Sequence, residues 1–310
     1  MGRQAVRSLR LSPPRILLLG ADGQVGWELR RALLPLGEVL PLNRTQADLW
    51  DVPALRAVLD RTRPQCIVNA AAYTAVDKAE TEPELAQRIN AAAPGLLAAW
   101  AAEHNAMLVH YSTDYVFDGA KPAPYVETDP PNPQSAYGRS KLAGEQAITA
   151  SGCRHLMLRT SWVYAAHGGN FAKTMLKLAA ERDSLRVIAD QFGAPTSAEL
   201  IADTTALMLQ RLRTDPALAA QASGLYHLTA QGSTSWHGYA QFVIAAAAAR
   251  GLPLRCAPEA VQPITTADYP LPAPRPANSR LDCTKLQTTF NLFLPPWQTQ
   301  VQRLIDELPL

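Results

Sequence analysis

Tyr137 and Lys141 stand four residues apart, the spacing that puts two side chains on one face of a helix. An ammonium beside a phenol favours its ionised form, which makes Tyr137 a candidate proton donor near neutral pH. Thr113 lies about two dozen residues upstream, in the run Tyr111-Ser112-Thr113-Asp114-Tyr115. On a strand end facing that helix, its hydroxyl can bond the same substrate oxygen that Tyr137 protonates. The three groups together make a site for moving a proton onto a carbonyl. With nine Tyr and six Lys in 310 residues, roughly 0.2 tyrosines with a lysine four residues further on arise by chance, and Tyr137 alone has one.

A second group of residues looks built for an anion. The apolar run Arg15-Ile16-Leu17-Leu18-Leu19 leads into Gly20-Ala21-Asp22-Gly23-Gln24-Val25-Gly26, and a helical pattern through Trp27, Leu29, Leu33 and Leu34 follows. Strand, glycine turn and helix in that order form the dinucleotide fingerprint. Gly20 allows the tight turn, Gly23 the approach of a pyrophosphate to backbone, and Gly26 close packing of helix on sheet. Asn69-Ala70-Ala71-Ala72-Tyr73 follows a further buried strand, ahead of the Thr and Tyr/Lys groups.

To position these groups the chain needs a parallel sheet. Apolar runs at 15–19, 38–42, 66–70, 106–111 and 155–159 alternate with amphipathic or Ala-rich helical stretches. The pattern predicts an α/β fold, a Rossmann-type doubly wound sheet that binds ligands at the carboxyl ends of its strands. Gly20, Asn69, Thr113 and Trp162 all fall at such ends. The expected organisation is a disordered extension over 1–14, a dinucleotide-binding domain over 15–163 and a smaller substrate domain over 164–310. A strand near 224–230 is expected to return to the first sheet. Helices are expected at 170–182, 198–213 and 297–308, and proline-rich loop and strand over 251–280.

Composition narrows the function classes. At 47% hydrophobic, the chain can bury a substantial core. A net charge of +2, with arginines spread along the chain, gives no field that calls for nucleic acid. The first fourteen residues lack an apolar core long enough for a signal peptide or membrane anchor. Cys66, Cys153, Cys256 and Cys283 stand far apart, without metal-ligand spacing. Buried free thiols in a reducing cytoplasm are expected.

The glycine loop, Asn69-Ala70-Ala71, Thr113 and Tyr137/Lys141 resemble the extended short-chain dehydrogenase/reductase family. Within it the chain is most similar to the branch that reduces dTDP-linked 4-keto-6-deoxy sugars. That similarity runs through Gly23–Leu29, Ala75–Glu80, Ser112–Phe117, Arg159–Tyr164, Asn170–Met175 and Asp190–Thr196, and covers about residues 15–308. The resemblance implies hydride delivery from NADPH or NADH to C4 of the sugar, with Tyr137 protonating the alkoxide. Lys141 would lower the tyrosine pKa and bond the nicotinamide ribose. Thr113, Asp114, Trp162 and Asn170 would meet the sugar nucleotide, and Arg275 or Arg280 its diphosphate. Gly20, Gly23, Gln24, Val25 and Gly26 would hold the pyrophosphate. Ala71, Ala72 and Tyr73 would border the adenosine end, with Asp48, Leu49 and Tyr111 also on the cofactor side.

Asn43-Arg44 departs from the family pattern, which often places an Asp here for the adenine ribose. A guanidinium in its place offers a 2′-phosphate a partner, so NADPH is expected ahead of NADH. Glu28, Glu199 and Glu307 match by position three carboxylates that bind Mg²⁺ where two subunits meet in the resembling enzymes, which implies a homodimer. Two other functions fit the motifs. One is a nucleotide-sugar epimerase of the same fold. The other is a non-catalytic regulatory subunit of the methionine adenosyltransferase type.

Overall fold

The computed structural model describes residues 13–308, so most of the 1–14 extension lies outside the described residues. Five apolar runs form the strands β1 (Arg15–Leu19), β2 (Glu38–Leu42), β3 (Cys66–Asn69), β4 (Met107–Thr113) and β5 (Arg154–Thr160). With Gly224–His227 they build one six-stranded sheet, in the order β2-β1-β3-β4-β5 and then Gly224–His227 at the edge. Every pairing in it is parallel. Strands buried on both faces read as continuous apolar runs: Ile16 to Leu19 are all buried, as are Cys66 to Asn69. Leu17, Leu19 and Ile67 pack into one core and Ile16, Leu18 and Val68 into the other, one on each side of the sheet.

The chain leaves β1 toward β2 and returns across it to β3, so the order reverses between β1 and β3. A crevice opens there at the carboxyl ends of the strands. Helix α1 (Gln24–Ala32) starts at this point, on Gly23. A Cβ on Gly26 would lie 1.9 Å from the Gly20 carbonyl oxygen, so only glycine lets α1 sit this close to the turn. Gly20 has φ of 76°, the left-handed region that glycine tolerates.

Beyond β5 the helices Phe171–Glu181, Ala198–Thr214 and Trp297–Glu307 form, the second packed against α1, with the short parallel pair Leu185–Ile188 and Val261–Ile264. All four cysteines are free and buried. Among the described residues no helix is long and apolar enough to cross a membrane.

Candidate active site

A cleft of about 830 Å³ runs along the carboxyl ends of the strands, from the glycine turn to Trp162. Its one end is lined by Gly20, Gly23, Gln24, Val25, Asn43, Arg44, Asp48, Leu49, Ala71, Ala72 and Tyr73. Tyr111, Thr113, Asp114, Tyr137, Lys141 and Trp162 line the other. An apolar cavity of about 220 Å³, bounded by Ile16, Cys66, Met107 and Arg154, lies at the opposite, amino ends of the strands and touches none of these groups.

The tyrosine helix, Ala136–Ala150, is fixed at its start from two sides. The Ser135 hydroxyl accepts the Gly138 N–H at 3.1 Å, and the Glu80 carboxylate accepts the Ala136 N–H at 2.7 Å. Close approach to the short 3-10 turn Asp114–Val116 after β4 depends on Gly138, whose Cβ would stand 2.2 Å from the Tyr115 carbonyl oxygen. Farther along, the buried Glu145 takes two bonds from Arg159 of β5, at 2.9 and 2.6 Å. The helix thus cannot slide relative to the strand ends.

Tyr137 and Thr113 line the same end of the cleft, and the Tyr137 ring meets Tyr115 edge-on with centroids 5.5 Å apart. Thr113 directs its own hydroxyl proton to Asp114 at 3.0 Å and accepts the Tyr115 N–H at 3.2 Å. Asp114 is buried, and burial raises its carboxyl to about 6 against the bonds from Ser279 and Thr113.

Lys141 corrects one expectation. Its amine does not depress the tyrosine here: it donates to the Tyr111 carbonyl oxygen at 2.7 Å and lies 3.3 Å from His110 Nε2. Burial dominates both groups, pushing the Tyr137 phenol up to about 12 and Lys141 down to about 8. At neutral pH the phenol therefore holds its proton, which is the starting state a proton donor requires.

Trp162 forms part of the cleft wall at φ of 49°, an unusual backbone for a bulky residue. Its indole stacks on Trp236 at 3.6 Å, and a Cβ on Gly193 would lie 2.5 Å from the same ring. The stack and the glycine set the plane of the indole. His167 stacks on Trp27 and donates to the Asp22 carbonyl at 3.0 Å, which lays the loop around Gly168 over the glycine turn. Trp236 and His167 carried no readable pattern, whereas Gly193 falls within the family-like stretch Asp190–Thr196.

Asn170 does not line the cleft. It caps the helix Phe171–Glu181 through the Lys173 N–H at 3.1 Å and lies 3.5 Å from Gln24 Oε1. Arg275 is paired with Asp77 at 2.7 Å beside Tyr115, while Arg280 bonds Asn278 and the Pro122 carbonyl.

Glu28, Glu199 and Glu307 border one small cavity away from the cleft, but the expected Mg²⁺ site is not formed within this chain. Arg303 bridges Glu199 at 2.8 Å and Glu307 at 3.1 Å, and Arg31 approaches Glu28 at 3.7 Å. Guanidinium groups supply the positive charge that a cation would bring. Among the described residues no three His, Cys, Asp or Glu side chains gather where they could hold a metal ion.

A glycine turn at the switch point of a doubly wound sheet, with Tyr, Lys and Thr at the far end of one cleft, defines an extended short-chain dehydrogenase/reductase. The family model described as "RmlD substrate binding domain" matches residues 14–309. A dTDP-4-dehydrorhamnose reductase of Escherichia coli is 50% identical over 94% of this chain and 97% of its own. That of Burkholderia thailandensis is 48% identical over 95% and 99%. The crystal structure of the Bacillus anthracis dTDP-4-dehydrorhamnose reductase in complex with NADP, 33% identical, superposes with a TM-score of 0.85, covering 96% of this chain and all of that one. The chain belongs to the RmlD substrate-binding-domain family, that of the dTDP-4-dehydrorhamnose reductases.

Proposed function

We propose that the protein reduces dTDP-4-dehydro-L-rhamnose to dTDP-L-rhamnose with a nicotinamide cofactor, NADPH ahead of NADH. The observation that carries this reading is the gathering of Tyr137, Thr113 and Lys141 at the far end of the cleft that begins at the glycine turn. The turn suits a pyrophosphate. Helix α1 has no side-chain cap, so its leading N–H groups stand free for an anion, and Gly23 places no Cβ among them.

When bound, the reduced nicotinamide supplies the hydride for C4 of the sugar. Tyr137 gives its phenolic proton to the alkoxide oxygen. Thr113 supports the same oxygen once its hydroxyl rotates away from Asp114. Trp162, held by Trp236 and Gly193, walls the sugar side and excludes water. The direct test supplies freshly made dTDP-4-dehydro-L-rhamnose with each cofactor and follows absorbance of the reduced nicotinamide. Net oxidation excludes the epimerase, which returns hydride to its own substrate. No oxidation with either cofactor would favour the regulatory-subunit reading.

Cofactor choice is assigned to Arg44. Its side chain is 78% exposed at the cleft rim and only loosely paired with Asp48, at 3.5 Å, so it is free to meet a 2′-phosphate. One screened surface guanidinium gives a modest preference for NADPH, about 3–10-fold. Arg44→Asp should reverse it. Unchanged kcat/KM ratios in the variant would release Arg44 from this role.

The same reading places the protein in the cytoplasm, where its four buried thiols stay reduced, as a homodimer meeting through the Glu28, Glu199 and Glu307 face. Because Arg303 and Arg31 already offset these carboxylates, sedimentation should give a dimer equally with and without EDTA. A monomer, or a mass that falls on chelation, would refute this arrangement.

A further inference from the structure

Lys141 is 1% exposed, and its amine nitrogen has two hydrogen-bonding neighbours: the Tyr111 carbonyl oxygen at 2.7 Å and His110 Nε2 at 3.3 Å. The carbonyl can only accept. The imidazole can accept or donate, and its far side decides which. Nδ1 of His110 lies 3.1 Å from Nδ2 of Asn69, whose Oδ1 accepts the Ala71 N–H at 3.2 Å. With that oxygen engaged, Asn69 turns its amide nitrogen, a donor only, toward the ring. Nδ1 must then accept, and the neutral ring carries its proton on Nε2, pointing at Lys141. A neutral amine can take that bond through its lone pair. An ammonium cannot, because it has none.

We propose that His110 is a positioning residue that ties the charge of Lys141 to the turn Asn69–Ala71. With the amine neutral, the donors run in one direction from Ala71 through Asn69 and His110 to Lys141. With the ammonium, the direction reverses: Lys141 donates to Nε2, the single ring proton sits on Nδ1, and Asn69 turns its amide over to accept it. That turn releases the Ala71 N–H. The ring holds one proton in both states, and the proton that distinguishes them is exchanged between Lys141 and water through the cleft that Lys141 lines.

The surroundings make both states accessible. Burial brings Lys141 down to about 8, opposed by Glu145 on its own helix, which Arg159 of β5 pairs. Burial, with Lys141 and then His155 of β5 nearby, holds His110 well below the ordinary histidine range, so the ring stays neutral. Tyr111, next to His110 on β4, is kept protonated by burial, with Cys66 of β3 adding to the shift. The turn is not remote from the cofactor end, since a Cβ on Gly20 would lie 2.6 Å from the Ala71 nitrogen. A change at Ala71 is therefore felt at the glycine turn.

The inference rests on the proposed reductase function only for its effect on turnover, and its first test needs neither substrate nor cofactor. Long-range ¹H–¹⁵N correlation on the full-length protein, with His110 assigned through the backbone, reads the tautomer directly. The expected result is a proton on Nε2 about 1.5 pH units above the lysine midpoint and on Nδ1 about as far below it, with faster Ala71 amide exchange at the lower pH. The same tautomer at both ends overturns the proposal, whether or not the protein turns over substrate. Asn69→Ala removes the obligation on Nδ1 and should raise the Lys141 limb of the kcat–pH profile by about one unit. In a His110→Phe background it should add nothing. A shift from Asn69→Ala that persists without the imidazole would overturn the relay, and should His110→Phe fail to fold, the wild-type tautomer decides.

Discussion

Tyr137→Phe is expected to lower turnover by about 10²–10⁴ while leaving the dissociation constant for NADPH near its wild-type value. Burial raises the phenol to about 12, so it is protonated throughout the working range and has a proton to give. It lines the sugar end of the cleft with Thr113, away from the glycine turn that is assigned to the pyrophosphate. Phe keeps the ring and its edge-on contact with Tyr115, so helix position and cofactor binding should survive. Loss confined to kcat marks an interaction made mainly in the transition state. Single-turnover measurements with NADPH in excess check this, and a variant that kept more than about half of wild-type turnover would shift the acid elsewhere.

How far such a site can be read from sequence depends on whether the contact is local. Spacing was enough for Tyr137 and Lys141, because i and i+4 share a face of any helix and Ala136–Ala150 is one. The apolar runs at 15–19, 38–42, 66–70, 106–111 and 155–159 marked β1 to β5 to within two residues at each end. The partner of Lys141 was out of reach. It is the carbonyl of Tyr111, and a backbone acceptor leaves no side-chain signature. The direction of the Tyr137 shift failed for the same reason: proximity on a helix predicts a Coulomb effect, while depth of burial is set by the whole fold. Arg303 between Glu199 and Glu307, and Trp236 beneath Trp162, are likewise products of tertiary packing. Asn170 is different, because an Asn directly before an apolar helical run is an N-cap signal, and the resemblance drew attention away from it.

Arg159→Met should destabilise the protein by about 3–5 kcal/mol. The Arg159 and Glu145 side chains are 3% and 5% exposed and share two bonds, with the guanidinium also lying 4.9 Å from the Phe117 ring centre. Forming such a pair contributes little net stability, because two charges must leave water. Breaking it is costly, because one charge stays buried without a partner. Met matches the stem of Arg159 and keeps the packing, so the loss reports the stranded carboxylate of Glu145. The double variant Arg159→Met with Glu145→Gln removes that charge and should recover to within about 1–2 kcal/mol of wild type. Denaturant midpoints for the three proteins check both statements, and a double variant no more stable than the single one would assign the loss to packing. The same series bears on catalysis. Glu145 lies one turn beyond Lys141 and favours its ammonium, so the folded double variant should show the lysine limb of its pH profile moved downward even where stability has returned.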